Sequence, residues 1–255
     1  MKNFSTNLFW RTYPLLRRLG LLVIYLIFAI YIIHITIDAT ALGAKLIYAI
    51  GGGIVLCGAL YYEYLKILYT KMTTALTMQT DIFAAKKARA ELLKRDVFKG
   101  FKGSLIIFDS LLLMDEGKYE ACLAHMEKHR KFFFGTPDYL FIYWHNRLLC
   151  HYFLDQPAEM LKCGQKLAEF KQSDQRKFSP LFSFDEIDGL IASANGLHQK
   201  AIRCLDKLSV ERLNARERSY YYYMLATEYR ALNDQQQVGK YLKLTREYQN
   251  TLTFG

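Results

Sequence analysis

The chain has 255 residues, of which 52% are hydrophobic and 15% aromatic, and a formal net charge of +10. That apolar content excludes a chain too polar to build a core and supplies one large domain or two small ones. The five cysteines, Cys57, Cys122, Cys150, Cys163 and Cys204, form no CxxC pair and no zinc spacing, so they are expected as free thiols acting as small apolar residues.

The polarity is unevenly spread. Residues 19–37, "LGLLVIYLIFAIYIIHITI", and 46–62, "LIYAIGGGIVLCGALYY", contain no Asp, Glu, Lys or Arg. A helix needs about 20 mostly apolar residues to cross a bilayer. The two runs are therefore expected to cross as a hairpin, with spans at about 19–37 and 45–65. Lys45 can reach outward at one end, and Tyr61, Tyr62 and Tyr64 can sit at headgroup level at the other. Gly51, Gly52 and Gly53 suit such a helix, because lipid forces the backbone to bond to itself. Within it Ala49, Gly53 and Cys57 recur every four residues, a small-residue stripe suited to close helix packing. The preceding helix is its expected partner, and a second copy of the chain, giving a homo-oligomer, is the other.

Orientation follows the basic residues. Lys2, Arg11, Arg17 and Arg18 precede the first span, and Lys66, Lys71, Lys86, Lys87, Arg89, Lys94 and Arg95 follow the second. The connecting "DATALGAK" carries only Asp38 and Lys45, so both termini are expected on the cytoplasmic side of a cell membrane. A cleavable signal peptide is the competing reading of the first run, with Ala39-Thr40-Ala41 as its small-residue site.

Residues 70–103 hold eight basic and three acidic side chains, while 104–255 hold 20 and 19. The positive charge thus belongs to the membrane-proximal segments, where Arg17, Arg18, Lys86, Lys87 and Arg89 are candidates to meet anionic lipid headgroups. A neutral downstream region argues against a nucleic-acid partner. From Thr70 to Phe98 no Gly or Pro interrupts a helical reading, which "KGFKGS" then ends.

The remainder reads as all-α. Apolar helical stretches are joined by short polar turns, with no strand alternation. Thr136-Pro137 and Ser179-Pro180 each set a capping residue before a proline at the first helical position, and Asp155-Gln156-Pro157 is similar. Helix pairs are expected at 104–115 with 118–133, 137–154 with 157–172, 180–195 with 198–208, and 213–232 with 235–249. The domain division is therefore a basic segment 1–18, a hairpin 19–66, a basic helix or linker 67–103 and a repeat region 104–255.

Spacing within the pairs resembles tetratricopeptide repeats. "EGKYEACLAHMEKH" (116–129), "GLIASANGLHQKAIRCLDKL" (189–208) and "YYMLATEYRALNDQQQVGKYLKL" (222–244) carry the small and large residues of that pattern. The equivalent positions Cys122, Met160, Ala201 and Val238 lie 38, 41 and 37 apart, against 34 in the standard repeat. The resemblance implies an α-solenoid of about four helix pairs with a concave face for a protein partner. It places His145, Leu149, Tyr152, Phe153, Tyr223, Thr227 and Arg230 on that face, with inter-repeat packing as their alternative role.

Catalytic chemistry is sparse. Cys122, His125 and His129 share a helical face at metal-ligand spacing but lack a fourth ligand. Cys150-His151 are adjacent, and adjacent helical residues point apart. No catalytic residue, metal site or cofactor is assigned. The expected function is a membrane-anchored adaptor or scaffold at the inner membrane face. A subunit of a transport or envelope-assembly complex bound through the hairpin is the alternative, and a metal-dependent enzyme the third.

Overall fold

The structure, a computed structural model, describes residues 14–172 and 183–254, with side chains over 19–171 and 183–254. The side chains of Arg17 and Arg18 and the expected Ser179-Pro180 cap lie outside what is described. The described residues form α-helices and one 3₁₀ turn and contain no strand. The chain divides after Ile67 into two compact units.

The first unit holds α1 (Pro14–Asp38) and the start of α2 (Leu42–Thr77). Both helices are long and apolar enough to cross a membrane, and none of the most apolar stretch of either is buried. Hydrophobic side chains such as Leu22, Ile27, Ile47 and Ile54 are all more than half exposed. The two helices meet at Gly52, where a Cβ would come within 2.6–2.8 Å of the Ile32 side chain. That is one residue away from the expected stripe. Gly53 has nothing within 4 Å of a built Cβ, and Ala49 and Cys57 are exposed.

The second unit starts at Leu68, still within α2, whose Leu68, Met72, Ala75 and Leu76 are buried. The helix expected through Phe98 is broken. It stops at Thr77, Thr80 takes a positive φ of 49°, and α3 (Ile82–Arg95) begins with Asp81 as its cap. The Asp81 carboxylate accepts from the Ala84 N–H at 2.9 Å, an N-cap that "TDIFA" advertises. A distant segment holds the break open. Thr80 Oγ1 donates to the Tyr248 carbonyl at 2.7 Å, Asn250 Nδ2 to the Gln79 carbonyl at 2.9 Å, and the Ile82 N–H to Thr251 Oγ1 at 2.8 Å.

Beyond α3 come α4 (Lys102–Asp115), α5 (Tyr119–Lys128), the single turn α6 (Arg130–Phe133), α7 (Pro137–Phe153), α8 (Pro157–Gln172), α9 (Phe184–Ala194), α10 (His198–Leu205), a 3₁₀ turn (Val210–Arg212), α11 (Ala215–Ala231) and α12 (Gln235–Gln249). Thr136 caps α7 with Pro137 at its first position, as expected. Ser183 caps α9, and Asn214 with Glu217 forms a reciprocal capping box on α11. Each helix packs chiefly on its chain neighbours: α4 on α5, α7 on α8, α9 on α10 and α11 on α12. Phe133, Phe141, Leu148, Leu167, Leu190 and Leu205 fill the spaces between them and are fully buried.

The unequal spacing of these pairs has a backbone counterpart. Gly117, Asp155, Gly196 and Asn233 all have positive φ, and each stands two residues before the second helix of its pair. They lie 38, 41 and 37 residues apart, the same intervals that separate Cys122, Met160, Ala201 and Val238, which are all buried. One left-handed residue therefore turns every pair, and the inserted residues fall in the helices and the linkers between pairs. Gly is the residue that adopts this conformation without strain. Gly196→Ala is expected to cost about 1 kcal/mol, because φ is +71° and a Cβ would meet no neighbour that could repay it. Asn233→Gly should move the other way by less than about 1 kcal/mol. Urea denaturation of the detergent-solubilised chain checks both signs.

Candidate functional site

The residues expected on the concave face are largely consumed inside the second unit. His145 and Leu149 of α7 are buried, and His145 Nε2 lies 3.3 Å from Glu186 Oε1. Tyr152 donates its hydroxyl to Glu228 Oε1 at 3.0 Å. Phe153 stacks on Tyr119 with ring centres 4.8 Å apart and planes 7° from parallel. Thr227 Oγ1 turns back on the Tyr223 carbonyl, and Arg230 is exposed. Tyr223 is covered by Phe254, their rings stacked at 4.4 Å, and Phe254 also lies against Tyr220 and Phe153. The chain's own residues 252–254 thus occupy the face where a partner segment was expected.

Two buried carboxylates organise this interior. Asp115, the last residue of α4, is 0% exposed. Arg216 Nε on α11 lies 2.8 Å from both of its oxygens, and the Tyr220 hydroxyl donates to Oδ1 at 2.7 Å. The Arg216 guanidinium also stands over the Tyr220 ring at 4.6 Å. The Thr253 N–H donates to the Asp115 main-chain carbonyl at 2.9 Å, so the same residue holds helix and C-terminal segment. Burial pushes the Asp115 carboxyl upward, while Arg216 and Tyr220 pull it back; Asp115 in turn keeps the buried Arg216 charged against its own desolvation. The second carboxylate, Glu228 of α11, accepts from Ser193 Oγ at 2.7 Å and His198 Nδ1 at 2.8 Å, besides Tyr152. It ties α11 to α7, α9 and α10. Burial, with Glu228 beside it, drives the Tyr152 hydroxyl well above its usual range.

Sequence reasoning named neither carboxylate, since Asp115 reads locally as a turn residue in "DEGK". Beside the first pair lies a cavity of about 260 Å³, lined by Leu149, Ser183, Leu213, Arg216, Tyr221 and Met224 among others. Arg216 Nη2 has no hydrogen-bond partner among the described residues, so this wall offers one charged donor to an acceptor oxygen. A larger open groove of about 730 Å³ lies on another side, lined by Phe134, Leu140, Trp144 and Phe170 with Arg130 and Lys166 at its edge.

The candidate ligand and nucleophile sets do not converge. Cys122 Sγ is buried and donates to the Ser110 carbonyl at 3.2 Å, while His125 Nε2 binds the Ile106 carbonyl at 3.0 Å. Among the described residues no group of three His, Cys, Asp or Glu could hold a metal ion. The Cys150 thiol is pushed well up, first by its contact with Cys122 and then by burial, the opposite of an activated thiolate. His151 points Nδ1 at Gln156 Oε1, 2.7 Å away. Of the headgroup candidates, Lys86 pairs with Glu116, and Arg89 with Asp109 through two bonds, one of them 2.6 Å long. The Asp109 bonds hold the Arg89 pKa above its usual value. Lys87 remains exposed.

Asp115→Ala is expected to cost about 3–5 kcal/mol by leaving Arg216 buried without its countercharge. The double replacement Asp115→Leu, Arg216→Met should recover most of that loss in urea denaturation. Burial lowers the His151 pKa below the 6.5 of the free side chain. As pH falls through 6.5 the unfolded chain takes up the proton first, so stability declines toward the lower folded pKa. His151→Gln should flatten this part of the stability–pH curve.

No protein-family model, curated relative or solved structure matches the chain.

Proposed function

We propose that the chain is a membrane-anchored adaptor. In this reading α1 and the apolar part of α2 cross the cell membrane as a hairpin with both termini cytoplasmic, and the second unit is a tetratricopeptide-like array that docks a protein at the inner face. One observation carries the anchor: two successive helices of membrane-crossing length whose apolar stretches are 0% buried. The core helix of a water-soluble protein would be covered, and apolar surface on this scale has no place in water. The basic excess of residues 70–103 and the acid-free N-terminal segment support the orientation.

The docking half rests on the second unit. Four helix pairs turned by one repeated backbone device support the array reading, and such arrays present extended binding surfaces. With the inner face filled by residues 252–254, the open groove at Phe134, Leu140, Trp144 and Phe170 is the docking surface we assign. Its occupant is a partner segment bearing an apolar side chain, in the manner of aromatic anchors elsewhere. A second reading is favoured by one feature. The Ala49, Gly53, Cys57 face of α2 is not the one that meets α1, so it remains open to another membrane helix in a larger complex.

The readings separate experimentally. A reporter after Gly255 is expected to be active only in the cytoplasm, and carbonate washing should leave the chain in the membrane. A photocrosslinker replacing Leu140 should capture one defined protein in cells, and Trp144→Glu should abolish that adduct. If the adduct instead forms only from a crosslinker at Ala49 and survives Trp144→Glu, the complex-subunit reading replaces the adaptor.

A further inference from the structure

The cavity of about 260 Å³ lies within the second unit, bounded by α7, α9, α11 and the 3₁₀ turn. Pockets that take drug-sized molecules run from about 300 to 1,000 Å³, so this one suits a smaller ligand. Leu149, Leu208, Leu213 and Met224 give it an apolar wall, and Tyr221 adds an aromatic ring. Four charged side chains share the lining among the described residues: Arg212 and Arg216, and Glu186 and Glu217. Arg216 and Glu217 are consecutive on α11 and Arg212 just precedes it, so one short stretch supplies both signs.

The fold leaves bonding capacity on all four. The Arg216 side chain is only 9% exposed, and every hydrogen bond it makes among the described residues leaves from Nε to Asp115. Its terminal amino groups have no acceptor, and Nη2 is buried in that condition. Unmet donors on a buried charge are costly, and in a cavity wall they call for an acceptor oxygen from outside the chain. Arg212 is exposed and has no ion pair among the described residues. Glu186 Oε1 lies 3.3 Å from His145 Nε2, and Glu217 Oε2 accepts the Asn214 N–H at 2.9 Å. The second oxygen of each carboxylate has no partner among the described residues.

These charges sort the ligands. A simple anion would meet two guanidinium groups and also two carboxylates, and a simple cation would meet the reverse. Either sets like charges against one another out of water, whereas a small zwitterion matches both signs. We propose that the cavity binds a free α-amino acid with an apolar side chain. Its carboxylate accepts from Arg216 and Arg212, a charge-assisted pairing suited to the guanidinium fork. Its ammonium donates to Glu186 and Glu217, and its side chain lies among Leu149, Leu213 and Met224. The site belongs wholly to the second unit and goes beyond the adaptor reading, since it requires neither the anchor nor the Trp144 groove.

The test is isothermal titration calorimetry of the full chain in detergent micelles with L-leucine and L-phenylalanine. Their analogues without the ammonium are 4-methylpentanoate and 3-phenylpropanoate, and those without the carboxylate are 3-methylbutylamine and 2-phenylethylamine. At least one amino acid should bind at one site per chain, with both of its analogues weaker by tenfold or more. Glu186→Gln should weaken the amino acid about tenfold while leaving the deaminated analogue no weaker than before. Leu213→Trp, placed ahead of α11, should abolish binding by filling the cavity, with far-UV circular dichroism confirming that each variant keeps its helices. If Leu213→Trp loses them, Glu186→Gln still decides. Absence of binding by both amino acids overturns the proposal and leaves the cavity to solvent. A deaminated analogue that binds as tightly as its amino acid overturns the zwitterion, and binding that survives both variants overturns the location. Carbonate extraction does not enter these readouts, so loss of the anchor and loss of this site are told apart.

Discussion

The second unit depends on one buried charge pair. Asp115 closes the first helix of the first pair and Arg216 opens the first helix of the last, 101 residues apart, and they meet in the interior, Asp115 fully buried and Arg216 nearly so. Removing two charges from water is costly, and only close geometry with further hydrogen bonds offsets it. Tyr220 and the Arg216–Tyr220 stacking supply that support. The Thr253 bond to the same residue then fixes where the C-terminal segment runs, and that segment holds open the break between α2 and α3. A single site therefore registers the first pair, the last pair and both ends of the unit.

That long-range closure changes what the helical pairs offer. An open array of helix pairs leaves its inner face for a guest. Here Phe153, Tyr220 and Tyr223 are covered by Phe254. The aromatic run "YYYY" at 220–223 is accounted for residue by residue: Tyr220 on Asp115, Tyr221 buried, Tyr222 beside Tyr241 and Tyr248, Tyr223 under Phe254. Exposed apolar surface lies elsewhere, at the Trp144 groove and along α1 and the first part of α2.

The local features were legible in the residues and the distant ones were not. Helix pairs and the Thr136-Pro137 cap followed from apolar periodicity and turn residues, which act over a few positions, and the 38, 41 and 37 spacing from the repeat resemblance. The break at residues 78–81 was half legible. Asp81 is a good capping residue, but no glycine or proline marks the stop, and partners some 170 residues downstream stabilise it. For the residues expected on the concave face, inter-repeat packing stood as the alternative role; what sequence could not show is that residues 252–254 return to meet Phe153 and Tyr223. Three consecutive glycines likewise leave the face toward α1 undetermined in sequence, and Ile32 packs at Gly52 rather than at the Ala49, Gly53, Cys57 stripe.

The bond between Thr251 and Thr80 also sets a timetable. Ribosomes add roughly 5–20 residues each second, so about ten seconds or more pass between the emergence of Thr80 and the synthesis of its mate. Through that interval the apolar helices have already been made, while the unit behind them still lacks its closing segment. A nascent chain arrested before Thr251 would therefore be helical and unlatched.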